Sequence, residues 1–253
     1  SAPYNQLTSL LSKSNAQQKG DILLPLAGLY GSFSSLLAAT LFADATAPLM
    51  VVCSSNSFER YENDLEALLP KGSLCNSADE LSHTIEALAT KRRSLLLSLF
   101  DDLDVPLCSP SEVESRMFHL TLDATIGYDA LKHFLTANGF EQRDFVEDEG
   151  EFSLRGSIID VYPFGAAEPL RIELFGDAIT SLRLFDSNSQ LSGKNLQQAT
   201  LTANFTTPNS PITLLDYLAP ETVVLVDDVA ELIAQSDGKE LLERLCHFRC
   251  FSS

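Results

Sequence analysis

Long apolar runs are missing from this sequence, and a secretion signal is not recognisable. No uninterrupted apolar run reaches the roughly 18 residues of a membrane-spanning helix. The first residues also lack the basic segment and following apolar stretch that are typical of a secretory signal. We therefore expect a cytoplasmic protein without a membrane partner.

Cysteine is sparse, and its spacing does not suggest a disulfide framework. The five cysteines are Cys53, Cys75, Cys108, Cys246 and Cys250. Their odd number and scatter argue against paired bridges. The segment "CHFRC", 246–250, resembles half of a zinc site, but a structural zinc needs four ligands and no second close pair is present. This segment is better interpreted as part of a helix, and no metal or cofactor is predicted.

Basic residues are also scarce, with 17 Lys and Arg against 35 Asp and Glu and a formal net charge of −18. Because nucleic acid is a polyanion, it repels a chain with this balance unless a local basic patch overrides the field. The run "KRR", 91–93, is interpreted as the solvated end of a helix. No strong DNA binding is predicted.

Hydrophobic residues, in contrast, make up 45% of the sequence, which is ample for a buried core. Residues 1–116 alternate between helical and strand patterns, an order typical of a doubly wound α/β sheet. The predicted helices are "LTSLLSKS", "SSLLAATLFADAT" and "SFERYENDLEALLP", and the predicted strands are "DILLPLAG", "PLMVVCSS" and "RRSLLLSLFDDLDVP".

The pattern changes near residue 117. A strand, "MFHLTL", and an amphipathic helix, "IGYDALKHFLTANG", are followed by several short strands between 140 and about 202, the first of them "FEQRDFVE", 140–147. From 205 onward, "PITLLDYLAPETVVLVDDVAELIAQ" returns to a helix and a buried strand. The predicted fold class is therefore α/β. Residues 117–204 form an α+β domain of mainly antiparallel strands, inserted into a parallel-sheet domain made by 1–116 and 205–253.

The stretch "GLYGSFSS" lies between a predicted strand and a predicted helix, where a phosphate-binding loop belongs. The working pattern is G-x-x-x-x-G-K-[ST]. Aligned from Gly28, Phe33 replaces the second glycine, Ser34 replaces the lysine, and only Ser35 matches. The loop thus lacks the charge that balances phosphate. We expect a degenerate nucleotide loop in which Gly28 and Gly31 make a tight turn.

Other signals of catalysis are weak. The stretches "LLLSLFDD" and "VVLVDD" imitate the acidic strand ends that hold Mg²⁺, but they are interpreted as helix caps or solvated loops. The four histidines form no spacing typical of a metal site or a catalytic triad, and no serine lies in a G-x-S-x-G turn. No catalytic residue is predicted.

Three strands of the 117–204 segment each carry an arginine at a phase opposite to their apolar residues. Successive strand side chains point to opposite faces, so "PLRIELFG" buries Leu170, Ile172 and Leu174. The residues assigned to the exposed face are Arg155, Arg171, Glu173, Phe175, Arg183 and Phe185. Arginine and aromatic residues are enriched at interface hot spots, which favours a partner-binding surface. The alternative is a solvated face with cross-strand Arg–Glu pairs, each worth at most about 1 kcal/mol.

A long stretch resembles the bacterial transcription-repair coupling factor family, Mfd. It is "GEFSLRGSIIDVYPFGAAEPLRIELFGDAITSLRLFDSNSQLS", 150–192. In that family and its relative UvrB the motif runs roughly as G-E-F-x-x-R-G-x-I-x-D-x-F-P, then E-x-P-x-R-I-E-F-F-G-D-x-I-x-S-I-R-x-F-D, then S-Q. The pair Ser189 and Gln190 favours Mfd over UvrB, and "LLDYLAPETVVLVDD" resembles the return segment of the same module.

The resemblance implies a UvrB-homology module whose domain 1, related to P-loop NTPases, is in two pieces called 1a and 1b. Domain 2 is inserted between them. In the family, domain 2 binds UvrA through two arginines and an aromatic residue, which match Arg155, Arg171 and Phe175 here. Glu173 is a candidate to orient Arg171, and Arg183 and Phe185 are weaker candidates. Leu174 departs from the family, which often has Phe at that position.

The sequence is therefore interpreted as a non-catalytic adaptor that recruits UvrA. Its full-length parent would be an ATP-dependent DNA translocase that removes RNA polymerase stalled at a lesion. The other partners implied are the RNA-polymerase-binding and translocase domains of the same parent. Two alternatives remain: a UvrB-like DNA-dependent ATPase, or a module that mainly inhibits its own parent through the same face.

Overall fold

The computed structural model describes residues 24–25, 31–44, 48–77, 81–235 and 237–252. The predicted helix "LTSLLSKS" therefore lies outside the described residues. The chain divides into two compact units. The first unit is formed by the segments before Leu107 and after Ser210, and the second unit is Leu107–Ser210. None of the described helices is long and apolar enough to cross a membrane.

The first unit is built on a parallel sheet. Its strands are β1 (Leu24–Pro25), β2 (Leu49–Cys53), β3 (Leu74–Asn76), β4 (Leu95–Leu99), β13 (Val223–Val226) and β14 (Arg249–Ser252). Every pairing in the order β1-β14-β13-β2-β4-β3 is parallel. The strand β2 is buried along its whole length, as expected where helices cover both faces of a sheet.

The helices of this unit are α1 (Phe33–Asp44), α2 (Ser55–Leu68), α3 (Leu81–Ala89), α5 (Val229–Ala234) and α6 (Gly238–Leu245). Apolar side chains of α1, including Leu37 and Leu41, join those of β2 and α2 in one buried cluster. The predicted strand–helix order is confirmed for α1, β2, α2 and β4. The run 91–93 is exposed just beyond the end of α3, as predicted.

The segment 246–250 differs from the helix that was predicted for it. Cys246 ends α6 as its C-cap, while Cys250 is buried in β14. The prediction is wrong because the parallel pairing of β14 with β13 and β1 overrides local helical preference. The short strand β3 was not identified from the sequence, and the bounds of the helix before 91–93, now α3, were not predicted.

The second unit has a six-stranded sheet in the order β11-β10-β9-β8-β7-β6. Its strands are β6 (Glu141–Gln142), β7 (Glu151–Arg155), β8 (Ile158–Val161), β9 (Leu170–Phe175), β10 (Ala178–Phe185) and β11 (Ser192–Asn195). All neighbours are antiparallel except the pair β6 and β7. The helix α4 (Tyr128–Ala137) and the antiparallel pair β5 (Met117–Thr121) and β12 (Gln198–Thr202) complete the unit.

Ile159, Ile172 and Leu182 lie opposite one another on adjacent strands and are almost fully buried. They pack with Leu131 and Leu135 of α4 in one core cluster. The alternation seen in the sequence thus assigns one sheet face to the core.

The unit starts and ends outside the predicted boundaries at 117 and 204. Leu107 forms an isolated antiparallel bridge with Thr206, and the Cys108 N–H donates to the Phe205 carbonyl at 2.8 Å. These backbone contacts join both flanks to the unit. The predicted strand over 140–147 is reduced to the two residues of β6.

Gly150 allows a close packing contact in this unit. A Cβ at this position would lie 2.4 Å from Cζ of Phe164, whose ring packs against Phe140 with centroids 5.1 Å apart. Its φ of +80° is also in the left-handed region. We expect Gly150→Ala to lower the free energy of unfolding by about 2–4 kcal/mol, because backbone strain and overpacking add.

Gly139 provides the matched control, since its φ is +81° and a Cβ there would meet nothing within 4 Å. Gly139→Ala should cost only about 1–2 kcal/mol, the backbone part alone. Urea denaturation of both variants measures the difference, and equal losses would contradict a packing role for Gly150.

Candidate partner-binding site

In the second unit, the polar face of the six-stranded sheet brings together charged residues from four strands. Asp160 on β8 lies directly opposite Arg171 on β9, which lies opposite Arg183 on β10. In the next row, Arg155 on β7 pairs with Ile158, which pairs with Glu173. The strand alternation that buries the core residues therefore places these charges on the other side. We call this surface the arginine face.

The carboxylate of Asp160 is the centre of the arginine face. Its side chain is 0% exposed and accepts hydrogen bonds from two guanidinium groups. Arg171 Nε donates to Oδ1 at 2.7 Å and Arg171 Nη2 to Oδ2 at 2.9 Å, a bidentate arrangement. Arg155 Nη2 donates to the same Oδ2. One buried acid thus fixes two of the predicted site residues.

Arg171 is largely enclosed, with 13% of its side chain exposed. Its Nη1 donates to the Gln190 carbonyl at 3.3 Å and to the Ser192 hydroxyl at 3.2 Å. Its Cζ lies 4.6 Å from the ring centroid of Phe185, within range of a cation–π interaction. Burial lowers the pKa of this guanidinium below its ordinary value.

The predicted role of Glu173 is wrong. Its carboxylate forms an ion pair with Arg183 on the neighbouring strand, not with Arg171. The physical reason is the register: Asp160 lies directly opposite Arg171 and occupies its Nε edge. Arg183 is therefore held by Glu173 in a cross-strand pair of the kind that a solvated face also forms.

The two aromatic candidates have opposite environments. Phe175, at the end of β9, is 83% exposed. Phe185 is fully buried, so its assignment to the exposed surface is wrong. Its phase was correctly assigned, because its ring lies beside the Arg171 guanidinium. After β10 the chain turns back so that Ser192 of β11 pairs with Phe185, and the Arg171 guanidinium lies over the ring.

Sequence reasoning missed Asp160 and the segment 144–146, which is bonded to β7 and to Gln190. Ser153 on β7 donates to the Asp144 carbonyl at 3.0 Å, and the Gln190 side-chain amide donates to the Val146 carbonyl at 3.2 Å. The exposed ring of Phe145 lies 5.9 Å from the Arg155 Cζ. A signal for Asp160 was present, since it is the only charged residue of β8 and faces away from the core.

Comparisons with known proteins match this chain to one domain family and to a group of curated relatives. Residues 118–205 match the family model described as the UvrB interaction domain. The transcription-repair-coupling factor of Staphylococcus aureus (strain bovine RF122 / ET3-1) is 31% identical over 176 residues, covering 69% of this chain and 15% of that protein. That of Bacillus subtilis (strain 168) is 31% identical over 189 residues, covering 68% and 16%.

The chain belongs to the transcription-repair-coupling factor family. The resemblance noted over 150–192 is thereby confirmed. The chain spans less than a fifth of the length of these curated relatives. The matched domain contains the whole arginine face.

In this member of the family, the segment interpreted as a degenerate nucleotide loop is held by an internal arginine. Gly28 lies outside the described residues, while Gly31 has a φ of +57°. Arg60 of α2 donates to the Gly31 carbonyl at 2.7 Å and to the Ser34 hydroxyl at 3.4 Å. Its Nη2 also lies 3.3 Å from Oδ2 of Asp227, which follows β13. A guanidinium therefore bridges the loop to the residue that follows the carboxyl end of β13.

The remaining residues of this loop begin helix α1. Phe33 is its first residue and is partly exposed, whereas Ser34 and Ser35 are buried. The Ser35 hydroxyl has no hydrogen-bond partner among the described residues. The neighbouring acid Asp228 accepts from the Glu231 N–H at 3.0 Å and caps α5, as predicted for this strand end.

No group of three His, Cys, Asp or Glu side chains in the described ranges could hold a metal ion. The exposed groups of the arginine face offer hydrogen-bond donors and charge at Arg155 and an apolar ring at Phe175.

Arg60→Ala should destabilise the first unit. The substitution removes the hydrogen bonds to Gly31 and Ser34 and leaves Asp227, largely buried, without this cation. We expect a loss of about 1–3 kcal/mol in the free energy of unfolding. Lys71→Ala, which removes an exposed cation from the same unit, is the control and should stay within about 0.5 kcal/mol. Equal effects in a urea titration would refute the bridge.

The free energy of unfolding should also fall at high pH, because a buried thiol and a buried phenol near this loop resist losing their protons. Burial raises the pKa of the Cys53 thiol to about 12 and that of the Tyr61 hydroxyl to about 12. In the unfolded chain these groups lose their protons at lower pH. Their contribution is therefore complete below about pH 9 and is lost as the pH rises toward 12.

We expect Cys53→Ala to flatten the fall in unfolding free energy between pH 9 and 11, where one such group contributes up to about 1.4 kcal/mol per pH unit. Urea denaturation at several pH values measures this slope. An unchanged slope in the variant would show that Cys53 does not contribute to it.

Proposed function

We propose that this chain is the UvrA-recruiting adaptor module of a transcription-repair-coupling factor. Its parent would remove RNA polymerase stalled at a DNA lesion, and the module would then bring UvrA to start excision repair. Two findings support the proposal: the match of residues 118–205 to the UvrB interaction domain, and the name of the relatives, which couples transcription to repair.

In this proposal the segment 117–204 is the UvrA-binding domain 2. The segments 1–116 and 205–253 form domains 1a and 1b, derived from a P-loop NTPase-like ancestor. The parallel sheet of the first unit is consistent with such an origin. Other domains of the parent, which bind RNA polymerase and translocate on DNA, would lie outside this chain and are its further proposed partners.

The observation that carries the proposal is the combination of Arg155 and Phe175 on one sheet face. Arg155 is 40% exposed and Phe175 is 83% exposed, so both are accessible to a partner. An apolar ring of this exposure gains free energy when a partner covers it. A guanidinium adds charge-assisted hydrogen bonds to carboxylate or carbonyl oxygens. Arg171 completes the set proposed for UvrA binding.

The module is proposed to be non-catalytic, with ATP hydrolysis assigned to other parts of the parent. Ser34 takes the place of the phosphate-binding lysine, and Arg60 is already bonded to the Gly31 carbonyl and close to Asp227. An arginine engaged in this way is not available to balance the negative charge of a nucleoside triphosphate. Measurable ATP turnover by the isolated chain would favour the UvrB-like ATPase instead.

The decisive experiment is a calorimetric titration of UvrA with this chain. Wild type should bind, and Arg155→Ala, Arg171→Ala and Phe175→Ala should each weaken binding by about 2 kcal/mol or more, as at interface hot spots. The matched control is Arg143→Ala, which removes an exposed arginine of the same unit that is paired with Glu141 and Glu151.

The control should bind as wild type does. Wild-type affinity in all three test variants would exclude the arginine face as the site. A wild type that does not bind UvrA would refute the adaptor function and would leave the face for contact with other domains of the parent.

A further inference from the structure

The two arginines of the arginine face have unequal freedom to contact a partner. Four of the five N–H groups of Arg171 donate within the chain, to Asp160, Gln190 and Ser192. Its fork edge, formed by Nε and Nη2, is occupied by the Asp160 carboxylate. An arginine recognises a carboxylate of a partner best through such an edge. Arg171 therefore has only one N–H group left to donate to a partner.

Arg155 is in the opposite situation. Within the described part of the chain its guanidinium makes a single hydrogen bond, from Nη2 to Asp160 Oδ2. Its remaining N–H groups are free to donate, and its exposed fraction is about three times that of Arg171. One bond anchors the guanidinium, and its other donors remain available to a partner.

Asp160 links these two arginines and has no other charged partner among the residues that the structure describes. A carboxylate that is fully removed from water is stable only when it is paired and hydrogen-bonded. The bidentate bond from Arg171 supplies most of that compensation and fixes the plane of the carboxylate. The Oδ2 atom is thereby held where Arg155 can reach it.

We propose that Asp160 is a positioning residue that orients Arg155 for the partner, and that Arg171 acts through Asp160 and not by direct contact. This inference rests on the proposed function and divides its site into contacting and positioning residues. A long flexible side chain loses rotamer freedom when it binds, and a bond that already restricts it reduces that loss. Arg155 and Phe175 are the contacting residues.

Arg171 also fixes the surroundings of Arg155 through Gln190. Its Nη1 bonds the Gln190 carbonyl, and the Gln190 amide bonds the Val146 carbonyl. Phe145, which directly precedes Val146, has its ring centroid 5.9 Å from the Arg155 guanidinium carbon. The positioning network therefore holds the segment beside Arg155 as well as the group itself.

A double-mutant cycle on UvrA binding tests this inference. The variants are Asp160→Asn, Arg155→Ala and the double variant, titrated against UvrA beside wild type. Asp160→Asn keeps the size of the side chain but removes its charge. We expect it to weaken binding at least tenfold in the wild-type background and less than twofold in the Arg155→Ala background, because its effect passes through Arg155.

An equal loss in both backgrounds would show that Asp160 has only a structural role and would overturn the inference. The inference would also be overturned if Asp160→Asn bound UvrA with wild-type affinity while Arg155→Ala bound weakly. That result would leave the adaptor function intact. No binding by wild type would refute the proposed function itself, and this inference with it.

Asp160→Asn leaves two guanidinium groups without their carboxylate and can unfold the domain, which circular dichroism would reveal. Arg171→Lys is then used in the same cycle, since it keeps the charge but loses the bidentate bond. We expect the same pattern, a loss of at least tenfold that disappears in the Arg155→Ala background. A loss that persists there would show that Arg171 contacts UvrA directly.

Discussion

One buried carboxylate, that of Asp160, determines how the arginine face is built. It lies on a sheet whose opposite side is the core, and it is completely removed from water. A charge in such a place is costly unless its partners are correctly arranged, and removing one partner of such a pair typically costs about 3–5 kcal/mol. The arrangement of Arg171 and Arg155 follows from this requirement.

The same physical rule operates in the first unit, at the segment interpreted from the sequence as a degenerate nucleotide loop. There Arg60 bridges the Gly31 carbonyl and the Asp227 carboxylate, which lie far apart in the sequence. In a working nucleotide loop a lysine and a bound phosphate would meet in this region. The internal guanidinium gives this segment a cation that is part of the fold.

Much of the fold could be predicted from the sequence because burial leaves a periodic pattern. The alternation of Leu170, Ile172 and Leu174 identified the core face of β9, and the apolar run of β2 identified a strand buried on both sides. Predictions failed where pairing between distant segments decided the outcome. The end of the segment 246–250 enters the parallel sheet between β1 and β13, and the strand over 140–147 is reduced to two residues.

The sequence by itself determined which residues share the arginine face, because strand phase depends only on position along the chain. It also determined the family, because the motif over 150–192 is long. Only the tertiary structure decided that Phe185 is buried and that Glu173 belongs to Arg183. It alone placed the Asp160 carboxylate between two guanidinium groups. Exposure and ion pairing depend on strand register and on covering loops, which bring together residues that no local pattern connects.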